Sequence, residues 1–463
     1  MRKWLPLVAI CAGTFMLLID VTIVTVAVPG MQRGLDASLA QLQWVLSLYA
    51  LVLASLVLTA GSIADRIGRR TVYLGGLTVF AAASLACGLA GNVGLLIAAR
   101  GVQGLAAAAM FATTLALVSR CYQGRDRGIA FGIWAAVNGA AAAAGPLIGG
   151  SLIATVGWRW IFLVNLPICA AAVGLTLAVV PESRDPRPRS VDLPGMLSFT
   201  VATATLVYAL IRGSWRSGGT AGLLAVAALA LVGFVVVERR RRDPMLDLSL
   251  LRDPSFATLL AVAALLPAAA WAFMAYQTLW LQSVLGLSAI QAGLVVLPAS
   301  LTTFAVSIAL GRVIHRTSPR LLIGTGMLII AAGASAQAVL TAGSEWSVVL
   351  PGLFLVGVGA GLVLGPLSAA AMAAVTGPSA GMAAGAVNTF RQLGYAVGIA
   401  VLGEVFRTGL SQAGPLDTPS RAYAGALNLT FLVAAGFGVA AGIAAFALLR
   451  PAPEPARTVS SSG

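Results

Sequence analysis

Charge is scarce in this chain. Only 10% of its 463 residues are Asp, Glu, Lys or Arg, whereas 59% are hydrophobic. A water-soluble globule could not cover that much apolar surface, so an ordinary soluble enzyme is excluded. Lysine occurs once, at Lys3, and histidine once, at His315. GxxxxGK[ST] is absent, so ATP does no work here through a phosphate loop. A lone histidine in a loop argues against imidazole catalysis and against a histidine metal site. The cysteines, Cys11, Cys87, Cys121 and Cys169, lie in or beside apolar runs without metal-ligand spacing. They read as small buried hydrophobes, and neither a metal nor a cofactor is expected. Alternating β-branched strands are missing too, which excludes a barrel.

What remains is a succession of uncharged runs of about 20 residues, the length at which an α-helix crosses hydrocarbon. They predict fourteen spans, at 4–29, 42–64, 71–90, 94–118, 129–152, 160–180, 192–211, 219–238, 256–282, 290–310, 321–341, 347–371, 382–406 and 424–449. The first resembles a signal peptide in its Met1-Arg2-Lys3 start, but it runs on to Pro29 without a small-x-small cleavage site and reads as a retained span. The net charge of +14 is carried by short arginine clusters between spans, a pattern that orients a membrane protein and need not bind nucleic acid. With the N-terminus inside, only Arg33, Arg159, Arg212, Arg216, Arg407 and Arg421 fall in outer loops. Both termini are therefore expected in the cytoplasm, with 451–463 a disordered tail.

GSIADRIGRRTVYLGG (61–76) lies over GRVIHRTSPRLLIGTG (311–326) without a gap. Gly61, Arg66, Arg70 and Gly76 match Gly311, Arg316, Arg320 and Gly326, and at the same offset Ser38 and Gln41 match Ser288 and Gln291. The expected architecture is all-α and membrane-embedded: a six-helix half at 1–180, an inserted helix pair with its linkers at 181–249, and a parallel six-helix half at 250–450. Parallel repeats around a central cavity are a transporter arrangement.

Asp20 lies deep in the first span, in FMLLIDVTIVTVAVP. A carboxylate there is unfavourable by about 2.5–3.5 kcal/mol on insertion scales unless it meets water or a partner. An isolated acid of this kind suits reversible proton or cation binding, against the plainer reading of a structural polar contact between helices. Arg100, in LLIAARGVQGLAAAAMF, is its natural counter-charge, because Arg holds its proton while the acid titrates. Gln103 follows one turn on. The repeat carries no second copy of this chemistry, since Asp20 maps to Ala270 and Arg100 falls near Leu350. In the turn Gly61…Asp65-Arg66-Ile67-Gly68-Arg69-Arg70, Asp65 is placed to neutralise arginines or cap the next helix, and Gly68 permits a tight reversal. Gly145-Pro146 with Gly149 and Gly150 combines a kink with a small-residue face. Arg391 sits in another span beside Asn388, and an Arg there needs partners. Gln103, Asn138, Tyr276, Gln277, Asn388 and Arg391 are the candidate cavity-lining residues. Glu404 is a secondary candidate.

These segments resemble the major facilitator superfamily, and within it the fourteen-span drug–proton antiporters. GSIADRIGRR resembles the loop signature of the superfamily, RGVQGLAAAA that of the fourth span, and AAAAGPLIGG the antiporter signature of the fifth. LLIDVTIVTVAVP and GWRWIFLVNLP (157–167) resemble segments of the fourteen-span exporters. The resemblance implies a monomeric exporter of drugs or other small amphipathic or cationic compounds across the cytoplasmic membrane, driven by the proton gradient and with protons and substrate as its only partners besides lipid. Export of an endogenous metabolite, amino acid or lipid is the alternative. It also implies proton coupling and substrate sensing by Asp20 and Arg100, a gate worked by Asp65, Arg66 and Arg70, and a conformational change shaped by Gly145 and Pro146.

Overall fold

A bilayer offers no partner to backbone N–H and C=O groups, so apolar runs satisfy them internally by coiling into helices. The computed structural model describes residues 2–184, 192–212, 218–241, 244, 246–311, 317–374, 380–412 and 418–449. His315 and the tail 451–463 lie outside them, as do the side chains of Asn138 and Pro146. Among the described residues there are helices and no strand. The N-terminal group comprises α1 (Leu5–Leu35), α2 (Leu39–Ile67), α3 (Arg69–Gly88), α4 (Val93–Cys121), α5 (Gly124–Thr155), the short α6 (Trp160–Leu163) and α7 (Asn165–Val179). Then come α8 (Leu193–Arg212) and α9 (Gly218–Arg240). The C-terminal group is α10 (Pro254–Ala270), α11 (Met274–Ser283), α12 (Ala289–Gly311), α13 (Pro319–Gln337), α14 (Leu350–Ala373), α15 (Ala380–Ser411) and α16 (Pro419–Leu448).

Local chemistry sets the helix starts. Asn92, Asp253 and Thr418 accept hydrogen bonds from backbone N–H groups in the first turns of α4, α10 and α16. Proline opens α10, α13 and α16, where its missing N–H is no loss. The internal repeat is visible in the same detail. Ser38 and Gln41 form a reciprocal capping box at the start of α2, with the Ser38 N–H 2.9 Å from Gln41 Oε1. Ser288 and Gln291 do the same before α12, again at 2.9 Å.

Of the fourteen expected spans, the structure bears out the coarser count. Among the described residues, twelve helical segments are long and apolar enough to cross a membrane, or thirteen if the two bent portions of α2, Trp44–Val57 and Thr59–Ile67, count as one. The run at 129–152 is helical within α5, but side chains along that helix lie outside the described set and it is not among the twelve.

The N-terminal helices pack mainly on one another, as do the C-terminal ones. The two groups meet where α5 lies on α12 and α2 on α15. The α8–α9 pair joins through α8, whose Val207 and Leu210 pack with Leu51 of α2 and with Ala396 and Ala400 of α15. By contrast, α9 shows Leu229, Leu231 and Val232 outward, the apolar exterior a helix presents to lipid.

Candidate functional site

Inside the N-terminal group, five helices bring polar side chains to one point. Asp20 of α1 and Arg100 of α4 form an ion pair, with Nη1 2.5 Å from Oδ2. The same nitrogen donates to Gln103 Oε1 at 2.9 Å, one turn along α4, and Nε donates to the Val45 carbonyl of α2 at 3.2 Å. Asn165, at the start of α7, donates to Asp20 Oδ1 at 3.2 Å and lies 3.3 Å from Ser84 Oγ of α3. Gln103 Nε2 closes the ring by donating to Ser84 Oγ at 2.7 Å, and the Cys87 thiol donates to Gln103 Oε1. The Tyr49 ring covers the guanidinium, its centroid 4.3 Å from Arg100 Cζ. Asp20 and Gln103 have no exposed surface, and Arg100 has 1%.

This convergence depends on close helix approach. A Cβ at Gly104 would sit 2.6 Å from the Tyr49 carbonyl oxygen, so Gly104 lets α2 lie directly on α4. Tyr49 and Val45 thereby reach Arg100. Two polar atoms in the cluster, Tyr49 Oη and Asn165 Oδ1, have no hydrogen-bond partner among the described residues.

Asp20 connects mechanically to the seam between the groups. Two and three residues further along α1, Thr22 and Ile23 seat against Gly145 and Gly149 of α5, where any Cβ would collide with them. Gly150 faces the other way, onto Ile290 of α12. The three glycines therefore link the charged helix to the inter-group contact.

The α2–α3 turn differs in part from its expected role. Asp65 bonds Arg69 within the turn, at 2.8 Å from its Nε, and makes no bond that caps α3 among the described residues. The cap comes from Glu182, beyond the end of α7. Its carboxylate accepts from the Arg70 N–H at 3.0 Å, the Thr71 N–H at 3.1 Å, the Thr71 hydroxyl at 2.6 Å and the Ser183 N–H at 2.9 Å. Burial alone would raise the Glu182 pKa, but these donors outweigh it and hold the carboxyl below its ordinary 4.5. Gly68 has φ +130°, and a Cβ there would lie 2.7 Å from the Glu182 carboxylate, so a side chain is excluded twice over. Arg70 donates to the Leu177 carbonyl, Gly61 rests on Ala112 of α4, and Arg66 is exposed. Among the described residues, the contacts of this turn stay within the N-terminal group. A second link unforeseen from sequence, Lys3 to Asp126 at 2.6 Å, ties the start of the chain to α5.

The expected cavity residues separate. Gln103 belongs to the charge cluster. Tyr276 donates to the Ile399 carbonyl at 2.7 Å, and Gln277 donates to Gln337 Oε1 at 3.2 Å with no exposed surface, so both are packed within the C-terminal group. Asn388 and Arg391 do line a narrow hollow between the groups, with Ser368 and Met372 on α14 and, from the N-terminal group, Leu115 and Trp134. Glu404 pairs with Arg407 on the same helix. Among the described residues, no group of three or more His, Cys, Asp or Glu could hold a metal ion.

The sequence model of the Major Facilitator Superfamily matches residues 10–399. The chain is 40% identical to the multidrug resistance protein Stp of Mycobacterium tuberculosis, over 88% of this chain and 76% of that protein. It is 34% identical to the tetracenomycin C resistance and export protein of Streptomyces glaucescens, over 89% and 78% of the two chains. Identity to the puromycin resistance protein pur8 of Streptomyces alboniger is 35%, over 89% and 83%. Among solved structures, the human organic anion transporter MFSD10 superposes with a TM-score of 0.66 at 16% identity, covering 96% of this chain and 99% of that one, which is a likeness of fold alone. On the family match and these identities, the chain belongs to the Major Facilitator Superfamily of multi-pass membrane transporters.

Proposed function

We propose that this protein exports drugs or other small amphipathic compounds across the cytoplasmic membrane in exchange for protons. The observation that carries the reading is the fully buried Asp20–Arg100 pair, supported by relatives whose names record multidrug resistance or antibiotic export. The working form has fourteen spans, counting α2 and α5, with α8 and α9 as an inserted pair and both termini cytoplasmic. It acts as a monomer without a cofactor, and the proton gradient is its energy source.

In the ion-paired state Asp20 is charged and α1 is tied to α4. A proton arriving on Asp20 replaces an ion pair with a weaker bond between the guanidinium and a neutral carboxyl, while Arg100 keeps Gln103, the Val45 carbonyl and the Tyr49 ring. The tie between α1 and α4 weakens. Because Thr22 and Ile23 are seated on α5, and α5 on α12, a shift of α1 is felt at the inter-group seam. The two groups then rock about the cavity in alternating access. The contact of Gly150 with Ile290 lies toward the end remote from the N-terminus and the packing of Leu51 with Ala396 at mid-depth, whereas the hollow at Arg391 lies toward the near end. With a cytoplasmic N-terminus, this arrangement corresponds to an inward-facing or occluded state.

The test uses everted membrane vesicles from a pump-deficient host, after a panel of antibiotics and lipophilic dyes has identified an exported compound. Asp20→Asn should abolish substrate-driven proton movement and Asp20→Glu should retain part of it. Undiminished proton-coupled export by the Asn variant would refute the reading. Export of an endogenous metabolite by the same cycle is the second reading, and a panel on which the protein confers no resistance would favour it.

A further inference from the structure

Among the described residues, the charges held within the helices do not cancel. Among the described acidic residues, only Asp20 and Glu404 lie away from loops and from the first and last turns of helices. Each is already matched, Asp20 by Arg100 and Glu404 by Arg407. Arg391 is left over. It lies well inside α15, and among the described residues it makes neither an ion pair nor a hydrogen bond. Arg391 is half-buried, and a guanidinium at membrane depth is unfavourable unless it meets water or a partner, which one lining a hollow can take from outside the protein.

The surroundings of Arg391 define that partner. The hollow it lines lies between the two groups, so material within it touches both α5 and α15. Leu115, Met372 and the face of Trp134 supply apolar and aromatic wall. Trp134 is only 7% exposed, and its indole donates to Thr14 Oγ1 at 3.3 Å, which fixes the ring plane. Asn388, 6% exposed and one turn before Arg391, adds an amide beside the guanidinium. Among the described lining residues none is acidic. A cation would therefore face an uncompensated positive charge at close range, whereas a planar apolar molecule bearing one anionic oxygen would meet both a wall and a counter-charge.

We infer that this hollow is a substrate subsite selective for amphipathic organic anions, an apolar frame carrying a carboxylate, phenolate or enolate oxygen, with Arg391 as the charge partner and Trp134 as the stacking surface. The inference rests on the transport reading above and narrows its substrate class. Because the subsite spans the seam, an anion bound there ties the two groups together, and its departure frees them to move.

Fluorescein and rhodamine 123 share a xanthene frame and differ in the sign of their charge. Each is titrated into the purified full-length protein in detergent and followed by fluorescence anisotropy. Fluorescein should bind about tenfold more tightly than rhodamine 123, the scale of one charge-assisted hydrogen bond. Arg391→Gln should erase that preference, Arg391→Lys should keep most of it, and energy transfer from tryptophan to bound fluorescein should fall in Trp134→Phe. Rhodamine 123 binding as tightly as fluorescein, no saturable fluorescein binding, or wild-type fluorescein affinity in Arg391→Gln would each overturn the proposal. If Arg391→Gln does not fold, the Lys and Trp134→Phe variants decide the matter on the same terms. Binding requires no proton gradient, so charge-selective binding without proton-driven flux would leave this inference standing and remove the antiport reading alone.

Discussion

The N-terminal and C-terminal helix groups share a plan and differ in what fills their middles. At the offset of 250 that relates them, Gly76 on α3 corresponds to Gly326 on α13, and a Cβ at either would meet a facing carbonyl, that of Ala106 at 3.0 Å and that of Gly359 at 2.8 Å. The capping boxes at Ser38 and Ser288 correspond as well. Where the N-terminal group places Asp20, Arg100 and Gln103, the C-terminal group has Ala270, Leu350 and Leu353. Its seam between α13 and α14 is closed by backbone contact: a Cβ on Gly333 would lie 2.7 Å from both the Gly352 oxygen and the Val356 nitrogen. One group holds an ion pair at its middle, and the corresponding positions of the other hold tight neutral packing. The same scaffold can thus hold an ion pair or neutral contacts by a change of a few residues, and on the proposed reading proton coupling would belong to the N-terminal group.

Substitutions can break or sharpen that contrast. The largest effect is expected for Arg100→Leu, which strands Asp20 in an apolar site. Stability in detergent should fall by about 3–5 kcal/mol and export should cease, both read from thermal melts and resistance assays. Gly333→Ala in the opposite group should lower stability by about 1–3 kcal/mol, because backbone must move to admit the methyl group, while proton coupling per substrate exported is unchanged. Glu182→Ala removes the cap of α3 and should destabilise by about 1 kcal/mol at neutral pH. The sign of its pH dependence follows from the lowered pKa of Glu182. The contribution is complete above the ordinary 4.5 and disappears as pH falls through the lower folded-state value, so wild type and variant should converge in acid. The smallest effect belongs to Gln277→Leu with Gln337→Leu. Replacing both partners of a buried neutral hydrogen bond should shift the melt by no more than about 0.5 kcal/mol. A large loss there would mean that the C-terminal group also relies on its polar centre.

The fold and the charged pair were legible in the sequence for the same reason: charge stands out against an apolar background. Asp20 and Arg100 are the conspicuous ions of their runs, and their pairing follows from the penalty each carries alone. Their neutral partners were not legible. Asn165, Ser84 and Tyr49 are ordinary residues for a membrane helix, and only helix packing brings them into the cluster around Asp20 and Arg100; Asn165 lies 145 residues from the acid it bonds. The cap of α3 was missed likewise, since Asp65 is adjacent in sequence while Glu182 is 112 residues from Arg70. Gln277 looked like a cavity residue because polarity in a span suggests water, but here it satisfies another glutamine in a dry core. Asn388 and Arg391 differ from it in having no such match among the described residues, and they line the hollow.

The central claim is that Asp20 carries the exchanged proton. The direct measurement is proton release from purified, weakly buffered protein when an exported compound is added, with wild type and Asp20→Asn compared at equal compound occupancy. Proton release by the wild type and none by the variant is the result this account predicts. Equal release from both, with binding intact, would contradict it.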